Sequence, residues 1–403
     1  MHFFPILSTL RRHRTSATLI VLEIALTCAI VCNAIFLIRA RLQRMDLPSG
    51  VAEEELLRVR LTGIGTRSDA AALTEQDLAA LREIPGVKFA AVTNMVPFGG
   101  HSWNSNASTV VDDPASPNAG IYLGSRDLLQ TLGVRVVAGR GFTPEEYVAF
   151  DDEHAHVASV VITRGLAERL FPGRNPIGQK VYSIDKEPQT VVGMIDLLAR
   201  PNEPGGLRTD PSYAMVLPAT LPYTVGGNYV LRVDATRRAE VLAAIDATLN
   251  RINPNRILIE HQTFPEIRGD HFKQDRAMAY LLVGVSLALL IITALGVVGL
   301  ASFWVQQRTR QIGVRRALGA TRGDILRYFQ LENFILATAG IVLGMALAYA
   351  INLWLMHKYA VERLPIEFLP VGAGLLWILG QIAVLGPAMR AATIPPAIAT
   401  RTV

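Results

Sequence analysis

Four stretches of the chain are almost continuously apolar, and a long, mostly polar segment separates the first from the second. Each stretch reaches the length of about 20 residues that an α-helix needs to cross the hydrocarbon core of a bilayer. The pattern therefore predicts an integral membrane protein with four spanning helices and one large polar domain. The apolar stretches are residues 17–38, 278–305, 334–356 and 368–389.

The segment between the second and third stretches is strongly basic. Residues 304–328, WVQQRTRQIGVRRALGATRGDILRY, contain six arginines. A basic segment flanked by two spans faces the cytoplasm by the positive-inside rule. The parity of four spans then places both termini in the cytoplasm and the polar domain outside. The first span alone does not decide the orientation, because arginines lie on both sides of it.

These features give a map of the chain. It predicts a cytoplasmic N-terminus (1–16), transmembrane helix 1 (17–39), an extracytoplasmic domain (40–275), transmembrane helix 2 (276–305), a cytoplasmic loop with a short helix (306–331), transmembrane helix 3 (332–356), a short outer loop (357–367), transmembrane helix 4 (368–389) and a cytoplasmic C-terminus (390–403).

The basic loop contains sequence signals for the end of one helix and the start of the next. Residues 308–318 have the composition of a short helix, and Gly319 fits the left-handed conformation that ends helices. Thr321, with Asp324 three residues later, matches a capping box that starts the next helix. The pattern predicts a basic helix held rigidly against the inner membrane face.

The outer domain has an α+β pattern whose two ends look alike. Strands at 56–61 and 87–95 flank a helix at 75–84 with Thr74 as N-cap, and strands at 229–233 and 257–260 flank a helix at 237–250. Two such βαβ units can pair into one split ferredoxin-like sheet. The block 121–217, with short strands at 157–163, 180–184 and 190–195 and helices at 125–132 and 164–170, is interpreted as an inserted mixed α/β subdomain.

Several positions within the spans are unusual for a membrane interior. An ionised Glu23 is energetically costly in a membrane interior. Three interpretations are therefore open: Glu23 pairs with an arginine of the loop, it lies in a dimer interface, or it is protonated or snorkelling near the inner boundary. Asn33 is a candidate for a hydrogen bond between helices. Gly340 and Gly344 form a GxxxG face that allows two helices to approach closely.

Composition excludes several classes of function. The net charge of +5 is concentrated in the membrane flanks and the basic loop, so nucleic-acid binding is a poor explanation for it. The two cysteines, Cys28 and Cys32, lie one helical turn apart in the first span and form no disulfide framework. The acidic and histidine-rich run 151–156 offers metal-ligand types, but no second cluster completes a site, and a solvated loop is the favoured interpretation. No nucleophile elbow or HExxH pattern indicates an enzyme.

Three segments of the chain resemble one protein family. They are RTRQIGVRRALGATRGDILRYFQLENFILATAGIVLGMALA (308–348), VVITRGLAERLFPGRNPIGQKV (160–181) and PAMRAATIPPAIATR (387–401). The chain resembles the permease subunits of MacB-type, FtsX-like ABC transporters, with a MacB-like periplasmic core domain at 40–275. The order of one span, outer domain and three spans agrees with this resemblance over essentially the whole chain.

The resemblance implies a partner that hydrolyses ATP. Family members pair as homo- or heterodimers and bind ABC ATPase subunits through a coupling helix. The loop helix would be that coupling helix, although the family often has Glu where this chain has Gln311. No GxxxxGK[ST] segment is present, so the chain is expected to bind no cofactor, and ATP and Mg²⁺ are expected on a separate ATPase. The implied coupling residues are Arg308, Arg310, Gln311, Ile312, Gly313, Arg315, Arg316, Ala317, Leu318 and Gly319.

The resemblance leaves three functions open. The first is efflux of amphiphilic compounds or peptides from the bacterial inner membrane, with a periplasmic adaptor and an outer-membrane channel as partners. The second is FtsX-like regulation, in which the outer domain acts mechanically on another envelope protein. The third is release of lipoproteins. Nothing in the sequence selects the substrate.

Overall fold

A computed structural model describes residues 14–63, 69–111, 113–150, 156–184, 187–202, 210–223, 228–359 and 363–395. It divides into two compact units: Leu47–Lys273 forms one, and the chain on either side of it forms the other. The helices are α1 (Arg14–Met45), α2 (Ala70–Glu83), α3 (Leu128–Leu132), α4 (Arg164–Leu170), α5 (Arg238–Ile252), α6 (Phe264–His271), α7 (Lys273–Gln307), α8 (Thr309–Ala317), α9 (Arg322–Tyr359) and α10 (Phe368–Ala392).

The strands all belong to the Leu47–Lys273 unit, the outer unit. They are β1 (Leu56–Gly63), β2 (Val87–Thr93), β3 (Asn104–Asn106), β4 (Asn118–Gly124), β5 (Val136–Gly139), β6 (Val148–Ala149), β7 (Ser159–Thr163), β8 (Lys180–Val181), β9 (Gln189–Ile195), β10 (Ala214–Thr220), β11 (Asn228–Val233) and β12 (Arg256–Thr263).

The unit formed by the chain on either side of Leu47–Lys273 is here named the membrane unit. Among its described residues, four helices are long and apolar enough to span a bilayer, namely α1, α7, α9 and α10. All but α10 extend well beyond the apolar stretches that predicted them. At its C-terminal end α1 continues to Met45, where Arg41 and Arg44 both form ion pairs with Asp275 of α7. The arginines that follow the first span therefore meet a carboxylate.

Helices α9 and α1 approach closely at the predicted GxxxG face. A Cβ atom at Gly344 would lie 2.6 Å from the carbonyl oxygen of Ala25 and 2.5 Å from the Cβ of Cys28. One at Gly340 would lie 2.8 Å from the Cβ of Ile24. Only glycine fits at this spacing, because small residues are what allow membrane helices to approach each other. The small face is therefore used inside this chain.

Asn33 links the same two helices. Its side-chain amide donates to the carbonyl oxygen of Ala29 in its own helix and, at 3.2 Å, to that of Ala348 in α9. The predicted hydrogen bond across helices is thus confirmed. Such a bond satisfies an amide that would otherwise be unpaired in hydrocarbon.

Glu23 lies where α1 faces α7. Its carboxylate oxygens occupy the space over Gly296, since a Cβ there would be 2.6 Å from Oε2. One turn along α1, the hydroxyls of Thr27 and Thr293 are 2.8 Å apart and hydrogen-bonded. Within the described part of the chain no arginine of the loop forms an ion pair with Glu23. Of the three interpretations, pairing with the loop is therefore not realised in this structure.

The outer unit contains the split ferredoxin-like sheet. Its first four strands lie in the order β12-β1-β11-β2, all antiparallel, so that β1-α2-β2 and β11-α5-β12 interleave. The faces of α2 and α5 bury an apolar core against the sheet, with Leu78, Leu81, Val241 and Ile245 at most 1% exposed. The predicted pairing of the two terminal βαβ units is confirmed.

The inserted block continues the same sheet. Strand β2 meets β4 at the pair Thr93 and Gly124, and the order then runs β4-β10-β7-β9-β5. A second apolar core, which includes Val160, Ile162 and Met215, lies on this half together with Leu166 of α4. The block is mixed α/β as expected, but its strands extend the ferredoxin-like sheet instead of forming a separate one.

One local prediction in the outer unit is wrong, and two strands were missed. Helix α2 begins at Ala70, and Thr74 lies inside it with its hydroxyl donating to the carbonyl oxygen of Ala70, so Thr74 is not the N-cap. The strands β4 and β10 were not predicted as strands. Both are almost completely buried, so they lack the alternation of polar and apolar residues that identifies a half-exposed strand.

A buried ion pair stabilises the ferredoxin-like half. Arg256 of β12 donates from both terminal nitrogens to the carboxylate of Asp77 in α2, one of the contacts being 2.9 Å, and both side chains are at most 2% exposed. The hydroxyl of Tyr229 donates to the same carboxylate at 2.8 Å. Burial and the neighbouring carboxylate raise the pKa of Tyr229 well above its usual value. The group ties α2 to β11 and β12.

Arg268 holds together the two ends of the outer unit. From α6, near the end of the unit, it donates to the carbonyl oxygen of Leu47 at 2.8 Å and to the carboxylate of Glu53 at 2.9 Å. Its guanidinium also lies over the ring of Phe98, 5.1 Å from the centroid. The start and end of the unit therefore lie side by side.

Candidate functional site

Helix α8 lies in the basic loop between α7 and α9. It begins at Thr309 and ends at Ala317, and Gly319 follows with φ +101°, a left-handed conformation that glycine adopts without strain. The hydroxyl of Thr321 accepts from the backbone N–H of Asp324, and the Asp324 carboxylate accepts from that of Thr321 at 3.0 Å. The predicted glycine stop and capping box are both confirmed.

The inner side of α8 is anchored by apolar contacts. Ile312 and Gly313 are buried, and Ile312 packs in a cluster with Ile325 and Phe329 of α9 and Ala388 and Ala391 of α10. Burying an isoleucine side chain contributes about 1.5–3 kcal/mol. The helix is therefore fixed on the ends of two spanning helices.

A buried ion pair adds a second anchor. Arg308, directly before α8, donates from Nη1 to both carboxylate oxygens of Glu332 in α9, at 3.0 and 2.8 Å. The two side chains are only 8% and 1% exposed, and the guanidinium lies 5.5 Å from the ring centroid of Trp304. This arginine therefore has an internal partner and is not available to a docking protein.

A third anchor comes from Arg316. Its guanidinium donates to the carbonyl oxygens of Ala392 and Ile394, at 3.0 and 2.8 Å, at the C-terminal end of α10. A cation at this end of a helix also interacts favourably with the helix dipole. Arg315 lies over the ring of Tyr328 with 4.9 Å to its centroid, but it remains exposed.

The opposite side of α8 is open. We call it the outer face and define it as Arg310, Gln311, Val314, Arg315 and Leu318, all of which are exposed. Val314 and Leu318 lie one turn apart and are 47% and 83% exposed, which is unusual for branched apolar side chains on a basic helix. Two apolar side chains flanked by arginines can insert into an apolar groove with an acidic rim.

The structure thus divides the residues that were predicted for coupling. Arg308, Ile312, Gly313 and Arg316 face inward and hold the helix, whereas Arg310, Gln311 and Arg315 face outward. Ala317 and Gly319 are exposed at the end of the helix. The spacing of the arginines in the sequence could not have separated these groups, because the division depends on which arginine reaches a carboxylate or carbonyl on another helix.

Three residues of this site were missed by sequence analysis. Glu332, which is the partner of Arg308, was not among the predicted site residues. Val314 was overlooked between arginines, and Tyr328 because it lies in another helix. The one available signal was the position of Glu332 beside an apolar run, where a carboxylate usually has a partner.

Most of the candidate metal ligands lie outside the described residues. Residues 151–155 of the acidic run lie outside them, and His156 has Nδ1 3.2 Å from the carboxylate of Glu187. Across the residues that the structure describes, no group of three or more His, Cys, Asp or Glu side chains is arranged to hold a metal ion.

Comparisons with known proteins agree with this architecture. Residues 18–248 match the model of the MacB-like periplasmic core domain, and residues 283–396 match that of the FtsX-like permease C-terminal domain. Together with four candidate spans and an α+β outer unit, these matches define a permease of the ABC transporter class. The chain belongs to the MacB-like, FtsX-like permease family, and it is a membrane protein with an extracytoplasmic domain.

Named relatives cover different shares of the chain. The pyoverdine export ATP-binding/permease protein PvdT of Pseudomonas aeruginosa is 24% identical over 96% of this chain and 56% of its own length. The macrolide export ATP-binding/permease protein MacB of Chromobacterium violaceum is 26% identical over 58% of this chain and 35% of its own. The uncharacterized ABC transporter permease YknZ of Bacillus subtilis is 24% identical over 81% of this chain and 79% of its own.

The chain therefore spans about a third to a half of the length of the first two relatives, and its similarity is to their permease part. Among solved structures, the periplasmic region of MacB from Actinobacillus actinomycetemcomitans matches with a TM-score of 0.34 and 14% identity, over 55% of this chain and 94% of that one.

Proposed function

We propose that this chain is the permease subunit of an ABC transport complex and that the outer face of α8 is its ATPase-docking surface. The observation that carries the proposal is the division of α8. Three independent anchors hold its inner side, while two apolar side chains and two arginines remain exposed on the other. Val314 and Leu318 together form an exposed apolar patch flanked by arginines, and such a patch is typical of a protein interaction site.

The anchors suggest how a movement would pass through the protein. The Arg308–Glu332 pair joins α8 to α9, and the Arg316 contacts join it to the end of α10. Because the first of these contacts is buried and the second is partly buried, a displacement of α8 would carry the ends of both spans with it. In this proposal ATP and Mg²⁺ bind to a separate ATPase, and this chain binds neither and catalyses no reaction.

The remaining parts of the proposal follow from the family. The loop would face the cytoplasm of a bacterial inner membrane, with both termini on the same side and the outer unit in the periplasm. The complex would contain two permeases, identical or different, and two ATPase subunits. The names of these two relatives describe export, which favours efflux of amphiphilic compounds or peptides, with an adaptor and an outer-membrane channel, over envelope regulation or lipoprotein release.

The test is co-purification of the full chain from its native membranes in mild detergent, with an assay of vanadate-sensitive ATP hydrolysis. Val314→Asp combined with Leu318→Asp should remove the apolar part of the outer face. Arg310→Glu combined with Arg315→Glu should reverse its charge. The matched control is Arg327→Glu, which reverses an exposed charge on α9.

We expect both outer-face variants to lose the ATPase by tenfold or more, a cost of about 1.4 kcal/mol, since truncating central interface residues typically costs 1 kcal/mol or more. The control variant should retain it. Each variant must elute as a monodisperse protein with an unchanged melting temperature. If the outer-face variants keep full ATPase activity, α8 is not the docking surface. If no ATPase accompanies the unaltered chain in any of several detergents, the transport assignment itself fails.

A further inference from the structure

A cavity of about 210 Å³ lies in the ferredoxin-like half of the outer unit. It opens beside β1, where Arg58 and Arg60 project from the face opposite to α2 and α5, and it extends to Tyr223 just before β11. No function described above uses this cavity.

The cavity forms at an irregularity in the sheet. The pairing of β1 with β12 shifts between Arg60 and Leu61, which lie opposite Glu260 and Leu258, so that Ile259 is the extra residue. Ile259 lines the cavity. Bulges of this kind occur often next to binding sites, because they redirect a side chain and interrupt the ladder.

The ionisable side chains that line the cavity are basic. They are Arg58, Arg60 and His101, and none of the described lining residues is a carboxylate. Glu260 lies behind the two arginines and serves both, with its Oε1 2.7 Å from Arg58 and 3.0 Å from Arg60. Glu260 pairs with both guanidinium groups and Asp270 also attracts Arg58, but neither carboxylate lines the cavity, so the charged part of the lining itself is basic. The burial of Arg58 lowers its pKa, which is the direction expected for an incompletely compensated buried cation.

Two buried polar groups at the wall have no hydrogen-bond partner. Tyr223 is 1% exposed and its hydroxyl is unpaired, although its backbone N–H donates to the Thr74 hydroxyl at 2.9 Å. Arg58 is 6% exposed and its Nε is unpaired. A buried donor without a partner costs about 1–3 kcal/mol, so such groups are rare unless a ligand or water completes them.

The rest of the lining is mixed, with the polar side chains of Thr62, Asn94 and Asn228 beside apolar ones. The apolar part includes Met95, Val96 and Trp103, and Trp103 has 37% of its surface exposed. An amphipathic molecule could therefore direct a polar group towards Tyr223 and the arginines and leave its apolar part against Trp103 and Ile259. The volume is below the range of about 300–1,000 Å³ for drug-sized ligands and suits a small one.

We propose that this cavity, formed by Arg58, Arg60 and Tyr223, binds the carboxylate group of a small amphipathic ligand, either a free monocarboxylate or the C-terminal residue of a peptide. The carboxylate accepts from Arg60 and from the unpaired Tyr223 hydroxyl. The apolar side of the ligand lies against Ile259 and Trp103. The proposal concerns binding to the outer unit alone and does not depend on ATP-driven coupling.

The experiment measures binding to the full chain in neutral phosphatidylcholine nanodiscs by isothermal titration calorimetry, with empty nanodiscs subtracted. The probes are phenylacetate and N-acetyl-L-leucine, each compared with its neutral amide, phenylacetamide or N-acetyl-L-leucinamide. N-acetyl-L-leucyl-L-leucine, with the same terminal carboxylate on a longer chain, distinguishes a peptide end from a free small acid. Comparing acid with amide isolates the charge, because each pair has nearly the same shape.

The key variant is Tyr223→Phe, which removes only the unpaired hydroxyl and leaves the ring in the core. Because no hydrogen bond is lost, its melting temperature should not fall. The matched control is Tyr122→Phe, in another buried tyrosine of the same unit whose hydroxyl donates to the carbonyl oxygen of Ala199. It should melt earlier and yet bind the probes normally. Arg60→Gln tests the charge.

We expect saturable binding of at least one carboxylate, at least tenfold weaker binding of its amide, and a loss of roughly tenfold or more in Tyr223→Phe and Arg60→Gln, as for hydrogen bonds to charged groups. Binding of the amide as tight as that of the acid overturns the proposal. So does equal binding by Tyr223→Phe and the unaltered chain. Absence of binding by every carboxylate probe at millimolar concentration means that the cavity holds only water, and it also overturns the proposal.

Discussion

The buried pair of Arg308 and Glu332 gives the sharpest test of how α8 is held. Its side chains are 8% and 1% exposed and meet at 2.8 Å. Removing one partner leaves an uncompensated charge in a buried site, which typically costs about 3–5 kcal/mol. Replacing both partners by apolar residues of similar volume is often neutral or stabilising. We therefore expect Arg308→Met and Glu332→Leu each to lose about 3–5 kcal/mol, and the double variant to lie within about 1 kcal/mol of the unaltered protein.

The assay is reversible unfolding in mixed micelles titrated with sodium dodecyl sulfate, with the free energy of unfolding compared across the four proteins of the cycle. The matched control is Arg310→Met, which makes the same substitution at an exposed position of α8 and should change stability by less than about 0.5 kcal/mol. Two results contradict the reasoning: a single variant that loses less than 1 kcal/mol, or a double variant that is no more stable than the singles. Either result would mean that water reaches the pair and that it does not anchor α8.

Three further outcomes are expected. Gly344→Leu should prevent the close approach of α9 to α1 and lower the melting temperature of the full chain, whereas Gly374→Leu, at a glycine with no neighbouring atom within 4 Å, should not. Asp77→Asn should leave Arg256 without its carboxylate and cost about 3–5 kcal/mol of outer-unit stability, measured by urea unfolding followed through Trp103 fluorescence. Hydrogen bonds from Arg140 lower the pKa of Glu146 from 4.5 to about 2. The contribution of ionised Glu146 to stability is therefore complete above pH 4.5 and is lost as the pH falls through 2. Since this pair is partly solvent-screened, we expect Glu146→Gln to cost about 1 kcal/mol at pH 7 and progressively less as the pH falls from 4.5 through 2.

The sequence was sufficient where a periodic signal exists. The apolar stretches identified all four candidate spans, and the two βαβ patterns identified the ferredoxin-like pairing. Gly319 and the Thr321 capping box were predicted because both signals are local, involving residues no more than three positions apart. Local rules work there because no distant residue competes with them.

The failures have physical causes as well. The alanine-rich start of α2 is a strong helix former and starts the helix four residues before Thr74, so the capping signal was overridden by propensity. Strand β10 is buried on both sides and has no alternation to detect. The division of α8 into anchored and open arginines depends on Glu332, whose side chain reaches Arg308 only after α9 has folded back beside it.

Arg268 gives the outer unit a mechanical property. Because it joins Leu47 and Glu53 to α6, and because Leu57 of β1 pairs with Thr263 of β12, the polypeptide enters and leaves this unit at neighbouring points. A body attached at one place can swing or tilt as a whole, whereas a body attached at opposite ends is stretched when those ends separate. A force applied to the chain at either end of the outer unit would thus act at one point, and the sheet could rotate about that point without unfolding.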